Sequence, residues 1–330
     1  MSKSLFTCIF FAFYANLAGA ALPSELDSLL DDYPVPRGRI GLYIAPAGGG
    51  QAVSLNPSRP FNPASTIKLL PSLAALEILS PAYQWHTRVY TTGEISGGVL
   101  NGDLYMLGGG DPYLTAEALW ALLKDVRAQG IERIAGDIIV DNGVYRPVDF
   151  DRAAFDDKPD RLYNGPADGL MINFWGVRFT VRANAERIHI DAFPGSRQLE
   201  VVNRVRHSEA PCSRAHRRVR YRVESSPERV AVVFSGVLSR RCRPVVINRA
   251  VIPVDRYAGY VLPGLWRDAG GVLDGSVRNG RVPEEAELLV SRPSRSLAEV
   301  VRATNKFSNN MMARHLLLTL GSVRKERGIA

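Results

Sequence analysis

Two short stretches hold residue types and spacings on which nucleophilic chemistry could run. The first is Pro63-Ala64-Ser65-Thr66-Ile67-Lys68, which enters an apolar run. A serine and a lysine three residues apart at a helix start lie on the same side, one turn apart. The positive helix end lowers the cost of an alkoxide developing on Ser65. A lysine desolvated by apolar neighbours can lose its proton near neutral pH and act as base. The same residues also make an ordinary helix start, a serine N-cap followed by a solvated lysine. About one Ser-x-x-Lys is expected by chance in a chain this long, so the motif alone does not choose. The second stretch is Ser308-Asn309-Asn310. A serine and an asparagine two apart in a loop can point a hydroxyl and an amide into a cleft. The alternative is a cap for a helix beginning near Asn310.

Other candidates carry less. Gly108-Gly109-Gly110 invites a phosphate-loop reading, but no Gly-Lys-Ser/Thr follows and Asp111-Pro112 closes the loop. A tight strand end and turn is expected there. The five histidines show no nucleophile or metal pattern. Neither Cys-x-x-Cys nor His-Glu-x-x-His occurs, so no metal and no cofactor is expected.

The chain of 330 residues is 46% apolar and 22% charged, an ordinary balance for a folded chain of two or three domains. At the N-terminus, Lys3 precedes an apolar core from Leu5 to Leu17, and Ala18-Gly19-Ala20 offers small residues for cleavage. The core is shorter than the ~20 residues of a spanning helix. A secretory signal peptide cut near Ala20 is expected, and with it export to a periplasmic or other extracytoplasmic space. Cys8 leaves with that segment. Cys212 and Cys242 remain, either as one disulfide or as two separate buried thiols. The net charge of +8 is concentrated in residues 204–249, which include "RRVRYR" at 217–222. The run suits strands with solvated arginine faces. The competing reading is a polyanion-binding patch; export argues against nucleic acid and for an anionic membrane or cell-wall surface.

The elements that must position these residues follow from periodicity. "RIGLYIAP" at 39–46 and "QAVSLN" at 51–56 read as a β-hairpin. From Ser65 to Leu79 the pattern is helical and apolar nearly all round, which predicts a buried helix bent at Pro71. Residues 85–107 return to strands, with Asn101-Gly102 as a hairpin turn. An amphipathic helix is predicted over 114–130 with Gly130 as its C′ residue. Short alternating runs through 170–262 predict a β-rich module. Helices follow over 257–271, 296–304 and 310–321, the last stopped by Gly321.

The order Ser-x-x-Lys, long β-rich insert, Ser-x-Asn is the pattern shared by penicillin-binding proteins and serine β-lactamases. More specifically, "FNPASTIKLL" at 61–70 resembles the nucleophile helix of the class C low-molecular-mass penicillin-binding proteins, the D-alanyl-D-alanine carboxypeptidase/endopeptidases. "GGVLNGDLYMLGGGDPYLT" at 97–115 is similar to their Gly-Asp-Leu-Tyr…Gly-Gly-Asp-Pro signature. Residues 275–289 and 294–321 are also similar, so the resemblance runs over about 35–321.

The resemblance implies an α+β fold: a penicillin-binding/serine β-lactamase-like domain, incomplete here, interrupted by two β-rich inserted domains. The implied partition is signal peptide 1–20, penicillin-binding domain 21–86, first part of insert domain II 87–165, insert domain III 166–262, return of domain II 263–293, and second part of the penicillin-binding domain 294–330. It implies Ser65 as the acyl-accepting nucleophile and Lys68 as its base. Ser308 would transfer a proton to the leaving group, and Asn310 would orient the peptide amide. Implied partners are peptidoglycan stem peptides ending in D-Ala-D-Ala and penicillin-type β-lactams.

The family also calls for a third motif, Lys-Thr/Ser-Gly, on a strand lining the cleft. None follows residue 310. That strand supplies an oxyanion-hole N–H, typically ~3 kcal/mol of barrier lowering, and its lysine pairs with the substrate carboxylate. The expectation is a truncated chain that is catalytically weak or dead. The alternatives are a non-catalytic peptidoglycan-binding protein and a β-lactamase.

Overall fold

The structure is a computed structural model that describes residues 22–146 and 149–326. The expected signal peptide and its cleavage point lie outside the described residues. None of the helices described is long and apolar enough to cross a membrane. The chain divides into two compact units, Met1–Ala64 and Ser65–Ala330.

In the first unit, helix α1 (Ser24–Asp31) carries Asp27 and Asp31, both paired with Arg37. The expected hairpin is present as an antiparallel pair, Leu42–Ile44 with Val53–Leu55. Asn56, at φ +51°, donates from its side chain to the carbonyls of Arg37 and Ile40 at 2.9 and 2.8 Å, tying the hairpin's end to the turn before it. Tyr43 and Ile44 are exposed.

A 3-10 turn, Ala64–Lys68, leads into the second unit, whose first helix is α2 (Leu69–Leu79). Helices α3 (Ala116–Ala128), α4 (Ala215–Arg218), α5 (Val254–Asp268), α6 (Leu297–Phe307) and α7 (Asn310–Glu326) follow. Between them lie four sheets. A five-stranded mixed sheet runs Val277–Asn279, Ile138–Asp141, Leu104–Leu107, His86–Thr91, Glu287–Pro293. A four-stranded sheet runs Val272–Leu273, Arg133–Ile134, Val99–Asn101, Glu94–Ser96. Two three-stranded sheets fill 177–249, the β-rich stretch expected from alternation. Phe179 and Phe234 meet between them with centroids 5.1 Å apart. The run of arginines lies on solvated strand faces, with Arg204, Arg206, Arg220 and Arg222 exposed. Cys212 and Cys242 form a disulfide, with Cα atoms 5.2 Å apart.

Local signals set several boundaries, the C′ role of Gly130 among them as expected. Thr115 caps α3 by accepting from the Ala118 N–H at 3.2 Å, and Gly130 sits at φ +87° beyond its end. Ser296 and Glu299 cap α6 reciprocally. The triple glycine is a tight strand end. A Cβ at Gly108 would meet the Gly169 carbonyl at 2.3 Å, and one at Gly109 the His86 carbonyl at 2.1 Å.

Three expectations fail. The hairpin turn is Gly97-Gly98, both at positive φ, between Glu94–Ser96 and Val99–Asn101. At Asn101-Gly102 the chain instead crosses from the four-stranded to the five-stranded sheet, where the Gly93 and Gly102 backbones are too close for a side chain. Gly321 does not stop α7, which continues to Glu326. Its φ is not forced positive, and a mid-helix glycine costs only ~1 kcal/mol. Finally, α2 is not buried all round. Ser72, Ala75 and Leu79 face inward, while Leu69, Leu70, Leu73 and Ile78 are each more than half exposed. Pro71 falls in the first turn of α2, just after the 3-10 segment, where a missing N–H costs little.

Candidate active site

The site is built on a small core separate from the main one. Ala75 and Leu79 of α2, Leu297 and Val300 of α6, Met312 and Leu316 of α7, and Trp85 are all buried together. Polar ties lock these elements in place. The Ser72 hydroxyl donates to Asn305 Oδ1 at 3.2 Å, joining α2 to α6. Trp85 Nε1 donates to Thr319 Oγ1 at 2.9 Å, and the Tyr145 hydroxyl lies 2.8 Å from the same oxygen.

On this frame three side chains converge. Lys68 Nζ donates to Ser65 Oγ at 3.1 Å and to Ser308 Oγ at 3.3 Å, and Ser308 Oγ donates to Ser65 Oγ at 2.7 Å. The Ser65–Lys68 approach has a local cause. In a 3-10 turn, side chains at i and i+3 eclipse one another, so the Ala64–Lys68 geometry stacks the two directly. Ser65 is exposed, whereas Lys68 is only 6% exposed. Among the described residues no carboxylate lies within ion-pair distance of Lys68. Burial, with the Arg314 guanidinium as second cause, lowers the Lys68 pKa from its ordinary value.

Ser308 comes from the opposite direction in the chain. Helix α6 ends at Phe307 and α7 begins at Asn310, so two residues must reverse the path. Ser308 takes the left-handed conformation, φ 53° and ψ 42°, normally left to glycine or asparagine. Asn309 caps α7, its Oδ1 accepting from the N–H groups of Met311 and Met312 at 3.0 and 3.1 Å. Asn310 does not join the triangle; its Nδ2 donates to the Tyr163 carbonyl at 3.4 Å. The structure thus brings Ser65, Lys68 and Ser308 together and sets Asn310 beside them on the first turn of α7.

Such a triangle can do acyl-transfer chemistry. Ser65 Oγ sits where two donors would stabilise negative charge, and the lysine next to it is biased toward its neutral, basic form. Sequence reasoning missed the supporting residues. Ser72 is one of two polar residues, with Glu77, in an otherwise apolar helix, a signal that could have found it. Asn305, Thr319 and Arg314 gave no local signal.

Architecture and sequence place the chain among the class C low-molecular-mass penicillin-binding proteins. More narrowly, it belongs to the D-Ala-D-Ala carboxypeptidase 3 (S13) family, whose pattern matches residues 22–329. It is 27% identical over 259 residues to D-alanyl-D-alanine carboxypeptidase DacB of Haemophilus influenzae, covering 76% of this chain and 52% of that protein. It is 27% identical over 333 residues to the D-alanyl-D-alanine carboxypeptidase of Actinomadura sp. strain R39, covering 93% and 59%. The crystal structure of penicillin binding protein 4 (dacB) from Haemophilus influenzae matches with TM-score 0.62 at 25% identity, over 80% of this chain and 58% of that one. The chain therefore spans little more than half the length of the curated relatives it matches.

Proposed function

We propose that this chain carries the reactive serine of a D-Ala-D-Ala carboxypeptidase/endopeptidase acting on peptidoglycan stem peptides after export. The observation that supports it most is the Ser65–Lys68–Ser308 triangle. Lys68, neutral, takes the Ser65 proton as Oγ attacks the carbonyl carbon of the penultimate D-Ala. The tetrahedral intermediate collapses to an ester on Ser65. The leaving amine, of D-Ala or of a cross-linking peptide, takes a proton relayed from Lys68 through Ser308. Water then attacks the ester by the reverse proton path. Asn310 orients the peptide amide from the first turn of α7. A β-lactam would acylate Ser65 by opening its lactam C–N bond, giving an analogous ester that keeps the amine attached and hydrolyses slowly.

No Lys-Thr-Gly or Lys-Ser-Gly occurs between residue 310 and residue 330, so the lysine that would pair with the substrate carboxylate does not come from this stretch. A second reading, a non-catalytic peptidoglycan-binding protein, is favoured by the open apolar face of Leu69, Leu70 and Leu73 just beyond Ser65. Incubation with penicillin and intact-protein mass spectrometry separates the two. The expected result is one adduct per chain, mapped to Ser65 and absent in Ser65→Ala. A folded sample that gains no adduct at millimolar penicillin would sink the enzymatic reading. Fast penicillin turnover instead of a lasting adduct would point to a β-lactamase.

A further inference from the structure

The arginine-rich run has a definite geometry in the fold. Residues 199–243 hold eleven arginines and four glutamates, with no lysine or aspartate, and so carry nearly all of the chain's net charge of +8. They form the three-stranded sheet Leu199–His207, Val230–Leu238, Val219–Ser225. Alternation and register assign its two faces. Val205, Val219, Val232 and Phe234 are buried on the inward face, where Phe234 meets Phe179 of the neighbouring sheet. On the outer face Arg204 and Arg220 flank Ser235, each directly opposite it on its own strand. Arg206 lies one step beyond Arg204, and Arg222 stands opposite Val233.

The charges on this outer face are sorted by end. At one end Glu200 and Glu224 flank Ala231 and are paired, with Arg229 at 2.9 Å and Arg222 at 2.7 Å. Toward the other end Arg204, Arg206 and Arg220 are exposed and have no carboxylate partner among the described residues. The Cys212–Cys242 bond pins together the two loops at this end, which add the exposed Arg214 and Arg240. The carboxylate of those loops, Glu209, faces Arg241 at 3.7 Å.

Spacing and side-chain type select the partner. Side chains on one face of a strand repeat every ~6.7 Å, and positions two strands apart are separated by ~9.6 Å. The unpaired charges therefore spread in two dimensions, which matches a plane of anionic headgroups better than a single extended chain. The sheet's two aromatic residues, Tyr221 and Phe234, alternate onto the inward face. A nucleic-acid strand would find no ring on the outer face on which to stack. A Coulombic contact with headgroups needs none.

We infer that this outer face is a docking surface for an anionic phospholipid bilayer, with the end that carries Arg204, Arg206 and Arg220 set against the headgroups. The inference makes no use of Ser65 and stands or falls apart from the acyl-transfer reading.

The test mixes the full chain with vesicles of equal parts phosphatidylglycerol and phosphatidylcholine and reads binding by co-sedimentation at low salt. Wild type should bind these vesicles and not vesicles of phosphatidylcholine alone. Binding should vanish toward about 1 M salt, where the Debye length is only ~3 Å. Arg204→Gln, Arg206→Gln and Arg220→Gln together should weaken it on the order of 100-fold, about fivefold per charge. The same three positions changed to lysine keep the charge and should bind within about threefold of wild type. Arg133→Gln, Arg182→Gln and Arg292→Gln together remove equal charge from ion-paired positions elsewhere and should cost less than about fivefold. Circular dichroism checks the fold of each variant; the lysine variant and the salt series test the inference even if the glutamine variant does not fold. Wild type that ignores the anionic vesicles overturns the inference. So does a folded glutamine variant that binds like wild type, or an equal loss in the paired-arginine control, which marks net charge alone. Wild type that pellets with purified peptidoglycan through these arginines, yet leaves the vesicles unbound, would assign the face to a wall polymer and overturn the membrane assignment.

Discussion

Asp111, in the Gly-Gly-Asp-Pro stretch, should make the stability of the fold fall with rising pH, against the usual behaviour of a carboxylate. Its side chain is 7% exposed, and burial pushes its pKa from 3.8 up to about 6, against weaker opposing effects of the Tyr113 N–H and Arg295. The folded state thus holds the proton more tightly than the unfolded chain. Below pH ~4 both states are protonated and nothing is lost; between pH ~4 and ~6 the unfolded chain ionises first and stability falls; above ~6 the loss is complete. At ~1.36 kcal/mol per pH unit, the gap corresponds to ~3 kcal/mol. Asp111→Asn keeps the Oδ1 that accepts from Tyr113 N at 2.8 Å but removes the titration. His315 titrates nearby with the opposite sign, because burial lowers its pKa, and it does so equally in both proteins. The quantity to measure is therefore the difference in unfolding free energy between wild type and Asp111→Asn, from urea melts at steps from pH 3.5 to 8. Any constant offset from the new amide cancels. That difference should shift by ~3 kcal/mol against wild type between pH 4 and 6, and be flat on either side. A difference independent of pH would refute the argument that Asp111 is buried uncompensated.

Thr319→Val should cost about 2–4 kcal/mol, because it strands the Trp85 Nε1 donor and removes one partner of Tyr145 in a buried place; chemical denaturation followed by tryptophan fluorescence measures it, and a loss under about 1 kcal/mol would contradict the network. Replacing Cys212 and Cys242 together by serine should cost about 3–4 kcal/mol, as expected for opening a loop of 30 residues. Native-state proteolysis should then cut first between 204 and 249, and a pattern unchanged from wild type would show that the bond does not hold that module together.

The parts of the fold that were legible in the sequence are those set by neighbours a few residues apart. Thr115 and Gly130 bound α3 because a cap and a left-handed exit are local events. The first hairpin was legible from alternation around a glycine turn. What was not legible is which sheet a strand joins. Arg133–Ile134 and Ile138–Asp141 are separated by only three residues, yet they lie in different sheets, each pairing in parallel with segments far along the chain. Asn101-Gly102 has the residues of a tight hairpin turn, but Gly97-Gly98 takes that role four residues earlier. Turn propensity ranks sites; pairing with Arg133–Ile134 decides between them. The exposed face of α2 teaches the same lesson, since hydrophobicity says that a face can be buried, and only a partner buries it.

The site divides along the same line. Ser65 and Lys68 were legible as a pair because three-residue spacing brings them together in either an α or a 3-10 turn, although only the 3-10 turn eclipses them. Ser308 was legible through its order in the chain, not its surroundings. Its surroundings, however, explain why that position is demanding. A helix must end at Phe307 and another begin at Asn310, and each must keep its face on α2. The two-residue link can do this only with Ser308 in the left-handed region, which costs a non-glycine residue of order 1 kcal/mol. Glycine would remove that cost and with it the hydroxyl that bonds Ser65 at 2.7 Å. Asparagine, the other residue at ease there, would put an amide where the hydroxyl stands between Lys68 and Ser65. The residue best suited to the backbone is thus not the one that makes the bonds to Lys68 and Ser65. That conflict between local preference and observed residue is itself a mark of a functional position, and it is visible only once both helices are in place.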